Sequence, residues 1–145
     1  MKARAKALGA IVVGGALLLM TTPLVAHHAF SAEFDANAPI RLEGVVTKME
    51  WINPHSWIHI DVKTPNGVES WMIEGGAPNS LLRRGFTKDS LPAGTKIIVD
   101  GYRALDGARR ANGRDLTFAD GKKLFMGSSG TGAPQDGRDP TEKAK

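Results

Sequence analysis

The four histidines of the chain stand in two pairs, His27 with His28 and His55 with His59, and none follows His59. Imidazole nitrogen suits Cu(II), which heads the divalent affinity order. His27 also follows a stretch with the makeup of a secretory signal peptide. Lys2, Arg4 and Lys6 precede an apolar run from Leu8 to Met20, and Pro23-Leu24-Val25-Ala26 offers a cleavage site. Cleavage after Ala26 would make His27 the N-terminal residue, whose free amine and ring nitrogen form a bidentate chelate. The ordinary pKa values of these two groups are about 7.7–8.0 and about 6.5, so protons compete only mildly near neutral pH. One or two imidazoles from His28, His55 or His59 would complete the site. If a strand begins at His55, then His55 and His59 share a face. Four residues at about 3.3 Å each still hold their Cβ atoms roughly 13 Å apart. One ion then takes only one of them unless the turn bends back, and His55 is the one expected to join the arm. The plain alternative is that His27 and His28 are the polar start of an exported chain, His55 a turn residue and His59 an exposed strand residue.

Other residues suggest a ligand face without metal. Trp51, Trp57 and Trp71 fall within 21 residues. Trp57, His59 and Asp61 share one alternation phase, beside which Trp71 would offer a stacking platform; the alternative packs the tryptophans inside. Arg103, Arg109, Arg110 and Arg114 gather late in the chain, where a cationic mouth would take a carboxylate, a phosphate or an acidic partner, or simply be a solvated loop. Catalytic signals are thin. Ser56 lies between His55 and Trp57, but adjacency in sequence is not triad geometry. Glu50, Asp61 and Glu74 are isolated carboxylates, and no phosphate loop, nucleophile elbow or zinc-protease motif is present. The chain has no cysteine, which excludes disulfides, thiolate metal sites, c-type haem attachment, cysteine nucleophiles and a lipid-modified cysteine after the signal.

The formal charge of +4 owes three units to the leader. Residues 27–145 carry 16 Lys plus Arg against 15 Asp plus Glu, a net +1. Such a balance gives no reason to expect nucleic acid or an anionic membrane as a partner. The apolar run of the leader is shorter than the roughly 20 residues of a transmembrane helix, so no span remains after processing.

The elements that must position these residues are mostly strands. Residues 27–38 read as an extended arm whose Phe30 and Phe34 dock on the domain, and residues 39–126 as the domain itself. Strand 1 is expected over 40–51, with a bulge at Gly44, where the apolar alternation changes phase. Strand 2 covers 56–63, with Ile58, Ile60 and Val62 inside. Thr64-Pro65-Asn66-Gly67 makes a hairpin to strand 3 over 68–74. A short helix follows over 78–84, with Gly85 at the C′ position and Leu82 against Phe86. Strand 4 covers 95–103, with Ile97, Ile98 and Val99 buried. A loop over 104–113 and a hairpin over 114–126 complete the domain. Residues 127–145 hold no apolar side chain larger than alanine and are expected to be disordered. Three strands, a helix and two more strands are the order of an OB-fold, a small five-stranded Greek-key barrel.

His27-His28-Ala29-Phe30, Gly44-Val45-Val46, Asn53-Pro54-His55 and Leu91-Pro92-Ala93-Gly94 together resemble the motifs of a family of small exported bacterial proteins of unknown function. The resemblance implies no activity, but it puts the histidines inside the family pattern. The reading is an all-β, OB-fold-like, periplasmic or secreted binding protein rather than an enzyme, with copper as the candidate cofactor. Its partner would be a periplasmic protein or a small ligand. The rival is a metal-free module that takes an acidic ligand or partner through Trp57, Asp61, Trp71, Arg109 and Arg110. A third reading, copper-dependent oxidation, uses the same histidines, which resemble the brace of copper oxygenases in ligand type only.

Overall fold

The computed structural model describes residues Phe30–Gly127. The leader, His27, His28 and the tail from residue 128 lie outside them. One turn of helix α1 (Phe30–Glu33) leads into β1 (Phe34–Glu50), followed by β2 (Trp57–Thr64), β3 (Gly67–Glu74), α2 (Pro78–Arg83), β4 (Lys96–Ala104), β5 (Arg110–Phe118) and β6 (Lys123–Phe125). The sheet runs β3-β2-β1-β4-β5-β6, and an additional β3–β5 pairing closes five strands into a ring. That pairing is parallel, over Met72–Glu74 and Arg110–Asn112, whereas the others are antiparallel. The fold is thus all-β and barrel-like, as the order of elements predicts.

The core follows from alternation. Ile58, Ile60 and Val62 of β2, Trp71 and Ile73 of β3, Ile97 and Val99 of β4, and Ala111 and Leu116 of β5 point inward and are buried. Ile98, expected inside, takes the opposite phase and is half-buried. The hairpin at Thr64–Gly67 forms as read, with Gly67 at φ 125°.

Gly44 is not the bulge. Leu42, Gly44 and Val46 keep one inward phase, and Gly44 pairs regularly with Ile97. The register against β2 shifts between Val46 and Lys48, where Thr47 and Lys48 are both exposed. Gly44 is required for a different reason: a Cβ there would stand 2.8 Å from the Asp61 carbonyl oxygen, so glycine permits the close crossing of β1 over β2.

Helix α2 stops in a Schellman motif. The Gly85 N–H donates to Leu82 O (2.9 Å), the Phe86 N–H donates to Leu81 O (3.0 Å), and Gly85 has φ 78°. The apolar partner of Phe86 in the core cluster is Leu81 rather than Leu82, which is exposed. That motif joins C″ to C3, and Leu81 is C3.

Two boundaries differ from the sequence reading. Arg110–Gly113, read as loop, begin β5, because β3 offers them a parallel edge. The arm is not extended throughout: Phe30–Glu33 turn once, and Phe34 already pairs with Ala104.

Candidate functional site

Chemistry-bearing side chains collect on the outer face where β3, β5 and β4 meet. His55 precedes β2, in a loop that follows the cis Asn53–Pro54 peptide. Ser56 clamps this loop to the end of β3. Its N–H and Oγ–H both donate to Gly76 O (3.2 and 2.9 Å), and its own carbonyl accepts from the Gly75 N–H (2.8 Å). A Cβ on Gly75 would stand 2.8 Å from Ser56 Oγ, so glycine is needed for the approach. The clamp sets His55 Nδ1 3.8 Å from Glu74 Oε1, with both side chains largely buried. Asn112 Nδ2 donates to the same carboxylate oxygen (3.3 Å), because Glu74 and Asn112 are partners in the parallel pairing.

The row continues across β4. Asn112 is opposite Tyr102, whose hydroxyl accepts from the Arg114 guanidinium (3.0 Å). Phe30 meets the Tyr102 ring edge-on at 5.4 Å and lies 5.8 Å from Phe34. Phe30, Phe34 and Ala104 form a second small apolar cluster with Tyr102. Helix α1 is held by the Leu105 N–H donating to Glu33 O (2.9 Å) and by Arg110 with Glu33 (3.4 Å).

His59 belongs to a different row. Its Nε2 is 3.0 Å from Glu50 Oε1, and Lys48 Nζ is 2.6 Å from the same oxygen. The Lys48 ammonium holds the Glu50 carboxyl below its ordinary range; partial burial opposes this, and His59 adds to it. His55 and His59 therefore engage different carboxylates, and His55 does not lie on β2 at all. Asp61 accepts from Ser70 Oγ (2.7 Å). The three carboxylates that look isolated in sequence each have a partner, but not one another.

Trp57 lies half-buried on the outer face, with His59 and Asp61. Trp71 does not join it. It opposes Ile60 and is buried in the core cluster, because its alternation phase is that of Ile73. Two of the arginines converge on Trp71 and Glu69, whose side chains are themselves bonded, the Trp71 Nε1–H donating to Glu69 Oε2 (3.2 Å), and another turns to Asp106. Arg103 lies over the Trp71 ring at 5.2 Å, Arg109 reaches Glu69 at 3.3 Å, and Arg110 bonds Asp106 at 2.9 Å.

Asp106 offers a direct check on its pairing with Arg110. The Ala108 N–H (2.9 Å) first of all, and then Arg110, hold its carboxyl below the ordinary 3.8. A lowered folded-state value contributes stability above about pH 3.8, lost as pH falls through the lower folded value. A carbon-13 titration should place the Asp106 midpoint below 3.8. Arg110→Ala should raise that midpoint without fully restoring 3.8, because the backbone bond remains. A wild-type midpoint at 3.8 would contradict these bonds.

Sequence reasoning missed Asn112 and Tyr102, and it left Glu74 without a role. The one available signal was Glu74 at a strand end next to the glycine pair; the parallel partner was not visible. Among the described residues no group of three or more His, Cys, Asp and Glu gathers. No helix among the described residues is long and apolar enough to cross a membrane.

A family model matches residues 16–113, well over half of the chain. The chain belongs to DUF6152, a family of unknown function. The matched span contains both histidine pairs. No curated protein and no solved structure matches the chain.

Proposed function

We propose that this DUF6152 protein is exported, is processed to begin at His27, and binds one Cu(II) through the His27 amine and ring, with His55 as the distant ligand. The observation that carries the reading is the seat of Phe30 on Tyr102. Tyr102, Asn112 and Glu74 are register neighbours on β4, β5 and β3, so Glu74 lies two strand spacings from Tyr102, about 10 Å. His55 sits against Glu74. Two residues lie between His27 and Phe30, and the three residue steps reach up to about 10 Å. The two spans are of similar size, which supports an arm that brings His27 toward His55.

The donor chemistry fits. Two nitrogens at one residue and an imidazole supplied by the fold make a three-nitrogen set suited to Cu(II). Glu74 stands beside the His55 ring on the Nδ1 side, as carboxylates stand behind many ligating histidines. The reading assigns delivery or storage of copper and no catalytic step.

The test is the exported protein itself. Intact mass should place the N-terminus at His27, and paramagnetic resonance of the one-equivalent Cu(II) complex should count three nitrogens, falling to two in His55→Ala. An N-terminus at Ser31 or Glu33 removes both leading histidines and ends the reading.

A further inference from the structure

The outer face of β2 and β3 carries a pair that the copper reading above does not use. His59 and Met72 are directly opposite one another in the β2–β3 register, and both are half-buried. Directly opposed residues have Cβ atoms about 4.5–5.5 Å apart, a separation from which an imidazole and a thioether can close on one ion. Met72 alternates with Trp71 and Ile73, which are buried inside, so its side chain is directed away from the core. Met49 and Met126, by contrast, are packed in the core cluster.

The ring of His59 is already oriented. A carboxylate only accepts hydrogen bonds, so the 3.0 Å contact with Glu50 Oε1 places the proton on Nε2. In the neutral ring this leaves the Nδ1 lone pair open. A ligating histidine characteristically gives its other N–H to a carboxylate in this way, which fixes the tautomer and raises ligand basicity. Lys48, bonded to the same oxygen, steadies that carboxylate. The partner of Met72 on β5 is Arg110, whose charge is engaged by Asp106 and Glu33.

We propose that His59 Nδ1 and Met72 Sδ form a two-donor site for a soft monovalent cation of the Cu(I) class. The donor types decide the metal: thioethers select soft ions such as Cu(I). The donor count agrees, because zinc sites are built with four ligands and no group of three harder ligands gathers among the described residues. This site shares no donor with His27 and His55, so the two stand or fall separately.

The test uses the full chain with Ag(I) as a redox-inert probe and Cu(I) in competition with a colorimetric chelator under reducing conditions. With methyl-labelled methionine, one equivalent of Ag(I) should shift the Met72 methyl resonance and leave those of Met49 and Met126 in place. Met72→Leu, which conserves volume, and His59→Gln should each lower Cu(I) affinity at least tenfold. Neither should change Cu(II) affinity. A Met72 methyl that does not move, or Cu(I) held by Met72→Leu at wild-type strength, overturns the proposal. Loss of Cu(II) binding in His27→Ala with Cu(I) binding intact would separate the two sites.

Discussion

Ile58→Ala should lower the unfolding free energy by about 2–5 kcal/mol, read as a fall in the denaturation midpoint at unchanged slope. Ile58 is 1% exposed. Its cross-strand neighbours are Met49 on β1 and Ile73 on β3, and both belong to or pack against the same core cluster. The strands around it form a ring held by pairing on every side, including the parallel β3–β5 contact. A closed ring cannot fold inward to fill the lost methyl groups, so the cavity cost should stay near the upper part of that range. A loss below about 1 kcal/mol would mean that the ring collapses freely and that the core is not organised around β2.

The strands were legible because alternation decides which residues face the core. Ile58, Ile60 and Val62 read correctly from a period of two. The helix stop was legible from Gly85, but its apolar contact was assigned to Leu82 instead of Leu81, since a one-residue error turns a helix by about 100°. The bulge was misplaced because Gly44 looks like a break in pattern, whereas its role is to let Asp61 approach. Both histidine pairs were visible as types. What the sequence did not disclose was the row Tyr102–Asn112–Glu74–His55. That row depends on β3 and β5 pairing in parallel, a contact between residues 38 apart in sequence with no local signature. Trp71 was ambiguous for a related reason: an aromatic on a strand is assigned to a face only once the register is known.

The copper site should depend most on His27. Removing the side chain of the N-terminal residue removes the imidazole that shares a chelate with the amine of the same residue. His27→Ala should therefore lower Cu(II) affinity by at least about 100-fold, or about 2.8 kcal/mol. His55→Ala should cost less, since the chelate survives and solvent can replace the lost imidazole, and His59→Ala should cost least, because its ring is bonded to Glu50. The order rests on the anchored arm, so the sample must begin at His27; any residue ahead of it moves the amine away from the ring. Calorimetric titration of Cu(II) into protein that starts at His27, beside its His27→Ala variant, is the most direct measurement. The expected result is one tightly bound ion in the first and a loss of about two orders of magnitude in the second. Equal affinity in the two would contradict it and leave His27 and His28 as the polar start of an exported chain.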